Sequence, residues 1–245
     1  MKMPAAPRIL LYQSYPMECP YLPGQIWVTQ SFQTNGLSPT FFEHLLSQGF
    51  RRSGETIYRQ HCPNCRACVP IRIDIRRFAP SKSQRRVLSK NHDVMVTRSL
   101  AEFEQADFDL YQRYVDTRHP SHETPDEDGY INFLILSPVQ TEIMRYYIAD
   151  RLVGVAWMDA QPHSLSSVYC AFDPDFSARS LGTFSILRQI QLGQELGKEW
   201  VYLGFWVEQS RKMSYKSRFS ASQILENQAW RPLEERAGFA PEVFA

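Results

Sequence analysis

The stretch from Ser166 to Gly197 constrains the fold of this chain more than any other. Val168 to Phe172 is an unbroken apolar run of strand length, stopped by Asp173-Pro174-Asp175. Leu181, Phe184, Ile186, Leu187 and Ile190 then cover much of a helix circumference rather than one narrow stripe. That spacing predicts a helix packed on more than one side, with Gly197 as its C-terminal stop. Between strand and helix stand Arg179-Ser180-Leu181-Gly182-Thr183. Backbone N–H groups at a helix start favour negative charge or a carbonyl oxygen, so this turn is the expected ligand site.

Composition narrows the classes. At 245 residues the chain can form one large domain or two small ones around a proper core. Hydrophobic residues at 43% and charged residues at 22% are ordinary for a globular protein. No apolar run approaches the roughly 20 residues of a membrane span. Ile9 to Tyr12 is too short for a signal-peptide core, so the cytoplasm is the expected location. With a formal net charge of +1, any nucleic-acid role must come from a local patch. Five cysteines without an export signal argue against a disulfide framework, and the spacing of Cys62, Cys65 and Cys68 raises the question of metal.

In chain order, Gln25–Phe32 fits a strand, and a helix starts at Ser38-Pro39 and ends before Gly49. Glu55–Gln60 fits another strand. Val69, Ile71, Ile73 and Ile75 alternate with Arg72, Asp74 and Arg76 in a half-buried strand, which Pro70 would place at an edge or on a bulge. From Arg72 to Lys90 seven cations (Arg72, Arg76, Arg77, Lys82, Arg85, Arg86, Lys90) face one acid, Asp74. Val94–Arg98 reads as a strand, Ala101–Val115 as an amphipathic helix and Thr117–Gly129 as a polar loop. Tyr130–Leu136 fits a short buried helix or strand equally well. Thr141–Ala149 and Leu152–Met158 form a hairpin turning at Asp150-Arg151, and Trp200–Val207 is a continuous apolar strand of the parallel or central kind. Arg211–Phe219 adds a basic-aromatic stretch.

From about residue 92 this order, β, α, (α), β, β, β, α, β, α, resembles the GNAT acyltransferase fold, in which the strand and helix around Ser166–Gly197 flank the acyl donor. The expected class is α+β/α/β. A mixed central sheet flanked by helices spans residues 92–245, and a smaller cysteine-containing α+β region occupies residues 1–91. Coenzyme A-dependent members carry two small residues at the helix start. Here Gly182 fills the first position and Phe184 the second, so an obstructed pyrophosphate cradle and a different donor are expected, the alternative being a Phe184 that only fills the core beside the usual donor. Further runs carry a more specific resemblance: CPYLPG from Cys19, GFRRSG from Gly49, HCPNCRACVPIR from His61, SKSQRR from Ser81, Arg118-His119, SSVY from Ser166, RSLGT from Arg179, YLG from Tyr202 and KMSYK from Lys212. Together they resemble the bacterial aspartate/glutamate leucyltransferases, relatives of the arginyl-tRNA–protein transferases, over about residues 15 to 235.

The resemblance implies transfer of leucine from leucyl-tRNA to the α-amine of a protein starting with Asp or Glu, which marks that protein for degradation. Charged tRNA and such proteins or peptides are the implied partners, with no DNA and no membrane, and the chemistry requires no cofactor beyond the tRNA co-substrate. Aminolysis of an ester needs positioning and oxyanion support more than a strong base. Candidate donors are the backbone at Ser167 to Tyr169 and at Ser180, Leu181, Gly182 and Thr183, with Tyr169 or Tyr202 as proton relay and a core role as the alternative for each. For the acidic side chain the candidates are Arg76, Arg77, Arg118 and His119, since an arginine fork accepts a carboxylate bidentately. Lys82, Arg85, Arg86, Lys90, Lys212 and Lys216 are the candidate tRNA contacts, a solvated helix face being the alternative for the first four. Cys62, Cys65 and Cys68, with His61 adjacent and Cys19 distant, could make a zinc or iron–sulfur site, or be small buried thiols. The alternatives are an arginyl donor, a coenzyme A-dependent N-acetyltransferase, and a non-enzymatic RNA-binding module.

Overall fold

The computed structural model describes residues 9–118 and 125–236. The chain begins with β1 (Tyr12–Gln13), β2 (Met17–Glu18), β3 (Ile26–Trp27), β4 (Thr29–Gln33), α1 (Pro39–Ser47), β5 (Arg51–Ser53) and β6 (Thr56–Gln60). It continues through β7 (Val69–Asp74), α2 (Lys82–Lys90), β8 (Met95–Leu100), α3 (Gln105–Arg118), α4 (Glu127–Tyr130), β9 (Thr141–Ile148) and β10 (Arg151–Ala160). Last come β11 (Ser164–Phe172), α5 (Leu181–Glu195), β12 (Trp200–Trp206), β13 (Ser222–Glu226) and β14 (Ala229–Pro232). An eight-stranded sheet runs β14-β13-β7-β12-β11-β10-β9-β8, and a smaller one runs β1-β4-β6-β5. In the large sheet only β11 and β12 pair in parallel, as their connection through α5 requires.

Local chemistry explains most of these elements. Ser38 caps α1 by accepting from the Phe41 N–H, with proline in the first turn. Ser81 and Gln84 form a reciprocal capping box at the start of α2. Helix α5 is covered as its residue spacing predicts: Leu181, Phe184, Ile186, Leu187 and Ile190 are all buried, and Gly197 past its end has φ +66°. A buried Leu or Ile contributes roughly 1.5–3 kcal/mol, so this one helix anchors the core on its face of the sheet. Helix α3 covers the opposite face over Tyr130, Ile143 and Trp157. A third cluster joins α1 and the small sheet to Tyr202.

Two expectations are corrected and one alternative is settled. Strand β7 is internal, between β12 and β13, not at an edge, and a register shift on β12 falls opposite the stretch from Pro70 to Arg72. Of the helix and strand that Tyr130–Leu136 allowed, the helix forms: residues 127–135 are a short α-helix that widens into a π-helical turn. The last predicted helix is only a 3-10 turn, Ser214–Arg218. Strand β7 belongs by sequence to the first 91 residues and by hydrogen bonding to the large sheet, where it joins β13 and β14 to β12. A piece comprising residues 92–245 would leave a gap in the middle of that sheet. Among the described residues no helix is long and apolar enough to cross a membrane.

Candidate active site

The parallel pairing of β11 with β12 covers only Ser164 to Ser166 against Trp200 to Tyr202. Beyond it the strands part, and each carries an irregularity at the parting. The β10–β11 register shifts opposite Val168, and the β12–β7 register shifts between Tyr202 and Phe205. Gly204 sits in the second shift with φ +82°, a backbone conformation that L side chains rarely adopt. Residues 167–170 of β11 and Gly204 of β12 are consequently half-buried although both strands are central. The start of α5 borders this wedge, with Gly182 beside the Phe172 ring.

Two cations close one end of the wedge. Arg51, from β5 of the small sheet, donates from Nη2 to the Ser167 carbonyl at 2.5 Å. Lys216, from the 3-10 turn after β12, donates from Nζ to the Phe205 carbonyl at 2.8 Å. They are 8% and 7% exposed. A side chain at position 204 would project between them, since its Cβ would lie 3.5 Å from Arg51 Nε and 3.7 Å from Lys216 Nζ. Burial first, and then the Arg51 charge, lowers the Lys216 ammonium to about 7, with Cys68 opposing. Burial likewise lowers Arg51 from its ordinary value. The neighbouring arginine, Arg52, points the other way along the strand and is paired with Asp159 through Nε (2.9 and 3.0 Å) and Nη2 (2.7 Å).

Aromatic rings line the other end. Tyr169 lies among Tyr111, Tyr114, Phe133 and Trp157, and burial pushes its hydroxyl well above the ordinary tyrosine value, with Tyr114 and Tyr111 adding. Tyr202 is on the side of the small sheet, under Trp230, its oxygen accepting from Arg72 Nη1 at 3.3 Å. Burial raises it too. The two tyrosines therefore belong to separate clusters, Tyr202 buried in one and Tyr169 half-buried against the other.

The remaining sequence candidates scatter. Arg76 is exposed beside Glu199 (3.7 Å), and Arg77 adjoins it in the turn after β7, at the closed end of the parallel pair. Arg118 is exposed at the C-terminus of α3 with its guanidinium 5.4 Å from the Phe172 ring, on the open side. His119 lies outside the described residues. Ser180 is left-handed (φ +56°) and gives α5 no side-chain cap, while Leu181 is buried and Thr183 half-buried. Phe184 does not stand before the helix start: it packs inward against Tyr146 at 5.6 Å, because its helical position faces the sheet. The turn itself is occupied by α2. Arg179 holds Asp93 at 2.6 Å, and Lys90 and Asn91 donate to the carbonyls of Ala178 and Arg179.

The basic run also divides. Arg72 is internal, with its guanidinium between Trp200 (3.5 Å) and Trp230 (4.2 Å). Lys82, Arg85, Arg86 and Lys90 share the exposed face of α2, opposite buried Gln84, although Lys90 spends its ammonium on Ala178. Lys212 is exposed, whereas Lys216 is no surface contact at all. Cys62, Cys65 and Cys68 border a cavity of about 490 Å³ with Arg66, Pro70 and Asn227. The Cys68 thiol is pushed up to about 12, by burial and then by Cys19, Cys62 and Cys65. All five cysteines are free, and among the described residues no three Cys, His, Asp or Glu side chains converge closely enough to hold a metal ion. No step is routed through one.

The sequence put Lys216 among the surface cations, where the structure buries it, and pointed to no role for Arg51 or Gly204, although all three fall in the quoted motifs. An uninterrupted Arg-Arg pair in a strand was the available signal, since one of the two must point inward.

Comparison with known proteins gives the family. The chain belongs to the arginine-tRNA-protein transferase family: models of the family's N and C termini match residues 17–86 and 106–226. It is thus an aminoacyltransferase that works on charged tRNA and protein. Among its relatives, the aspartate/glutamate leucyltransferase of Pseudomonas putida (strain W619) is 39% identical over 91% of this chain and 96% of the relative. That of Pseudomonas syringae pv. tomato is 37% identical over the same shares. Solved structures are more distant. FemX superposes on 72% of this chain and 63% of its own length with a TM-score of 0.44 at 9% identity. The L-PGS structure from Bacillus licheniformis gives 57%, 47%, 0.40 and 11% for the same quantities. Likenesses of that order are too loose to carry a functional argument.

Proposed function

We propose that this chain transfers leucine from leucyl-tRNA to the N-terminal α-amine of proteins that begin with Asp or Glu. The observation that carries the reading is the near-complete match to relatives of that name. The wedge between β11 and β12 supplies a place for the reaction. The amine attacks the ester carbonyl, the C–N bond forms, and the terminal ribose hydroxyl leaves with a proton. An α-amine titrates at about 7.7–8.0, so a useful fraction is neutral near pH 7 without a strong base. The half-buried backbone from Ser167 to Tyr169 and the start of α5 are suited to hold the carbonyl. The exposed face of α2, with Lys82, Arg85 and Arg86, is suited to tRNA phosphates, and Lys212 is a further exposed cation.

The test incubates the protein with an Asp-starting peptide and either leucyl- or arginyl-tRNA, then weighs the product. A leucyl adduct is expected. An arginyl adduct alone would replace the donor, and transfer from neither would remove the reading.

A further inference from the structure

Buried charge needs a counter-charge, and among the described residues neither of the two cations in the wedge is ion-paired with an acid. Among the acids near Arg51, Asp159 is already bound bidentately by Arg52. Arg51 and Lys216 instead each clamp one backbone carbonyl, Ser167 on one parting strand and Phe205 on the other. A carbonyl satisfies a donor but does not neutralise a charge, and an isolated buried cation is costly. Arg51 Nη1 is buried and has no hydrogen-bond partner among the described residues. Glycine at 204 keeps the space between the two side chains free.

We propose that the space between Arg51, Lys216 and Gly204 is the subsite for the acceptor's own acidic side chain, an inference that rests on the aminoacyl-transfer reading above. A carboxylate presents two oxygens, one for the Nε edge of the Arg51 guanidinium, which faces position 204, and one for the Lys216 ammonium. In Asp and Glu that carboxylate hangs only a few bonds from the α-amine. A subsite at the parting of β11 and β12 therefore leaves the amine beside the half-buried backbone of residues 167–170. The exposed arginines fit this task less well. Arg76 and Arg77 lie at the closed end of the strand pair, and water already solvates them. An uncharged amide in the same place would leave both cations without a counter-ion, which gives the selection for acid over amide.

Leucine transfer is measured with wild type, Arg51→Gln and Lys216→Met on matched peptides starting with Asp, Asn, Glu or Gln. Urea unfolding and leucyl-tRNA affinity are recorded for each protein. The expected result is a loss on the order of 100-fold in kcat/KM for the acidic peptides, mostly in KM, with the Asp-to-Asn preference collapsing. Equal losses on all four peptides with the preference intact would overturn the proposal, whether through the reacting carbonyl or through the fold. Weakened tRNA affinity with intact preference would assign the cations to a tRNA phosphate and also overturn it. Should wild type transfer leucine to no peptide, the donor reading fails separately. The subsite is then read without tRNA, by calorimetric titration of the Asp and Asn peptides. Preference for Asp in wild type, lost in either variant, would sustain it, and no preference in wild type would end it.

Discussion

Arg51 and Arg52 are neighbours on one strand, both almost wholly buried, and they have opposite electrostatic fates. Arg52 reaches Asp159 and Thr141 of the large sheet and finds both a charge and a hydroxyl there. Arg51 reaches a carbonyl beside a second buried cation. Strand alternation sends the two side chains to opposite sides, so a difference of one residue separates a structural bolt from an unbalanced charge. Arg145, held by Asp107 at 2.7 Å, follows the Arg52 pattern. Arg52 and Arg145 are each ion-paired with a buried acid, whereas among the described residues Arg51 and Lys216 form no ion pair.

The largest effect should come from breaking the balanced pair. Arg52→Ala leaves Asp159 buried without its cation and should cost about 3–5 kcal/mol in urea unfolding. It should also loosen the small sheet from the large one. A cost under about 1 kcal/mol would mean that the Arg52–Asp159 pair does not bolt the sheets together.

A smaller effect, with a distinctive pH signature, should come from the unbalanced pair. The folded value of Lys216, about 7, lies below its ordinary value of 10.5. Between those values the unfolded chain holds more protons than the folded one, so this group makes stability rise with pH across that window. Below about 7 the folded protein carries the charged ammonium among Arg51, Cys68 and the Phe205 carbonyl, and the penalty is present in full. Lys216→Met should flatten the rise between pH 7 and 10, as read by urea unfolding at several pH values. An unchanged slope would place the titration elsewhere.

Solvated cations give the smallest effect on stability. Replacing Lys82, Arg85 and Arg86 by alanine should shift unfolding by no more than about 0.5 kcal/mol for each exposed site. The same change should lower the salt slope of tRNA binding by up to about one per removed phosphate contact. An unaltered salt slope would leave α2 as an ordinary solvated face.

Much of this molecule was legible in its residues. The caps at Ser38 and Ser81, the helix from Leu181 to its stop at Gly197 and the hairpin turning near Arg151 follow from local rules, because each depends on a few residues close in sequence. The motifs also led to the family. Local rules do not reach the places where distant segments cross. They put β7 at an edge or on a bulge, while the fold inserts it between β12 and β13 with the register shift on β12. They let the Phe184 ring obstruct the first turn of α5, while the face of α5 that meets the sheet turns it into the core. They left Lys216 on the surface and Arg51 without a role. Burial of a charge is a property of what is packed around it, and Arg51 meets Ser167 across 116 residues of chain. Sequence alone set the elements, the opening stretch and the family. Only the tertiary structure decided which cations lost their water, because that depends on segments far apart in the chain closing around them.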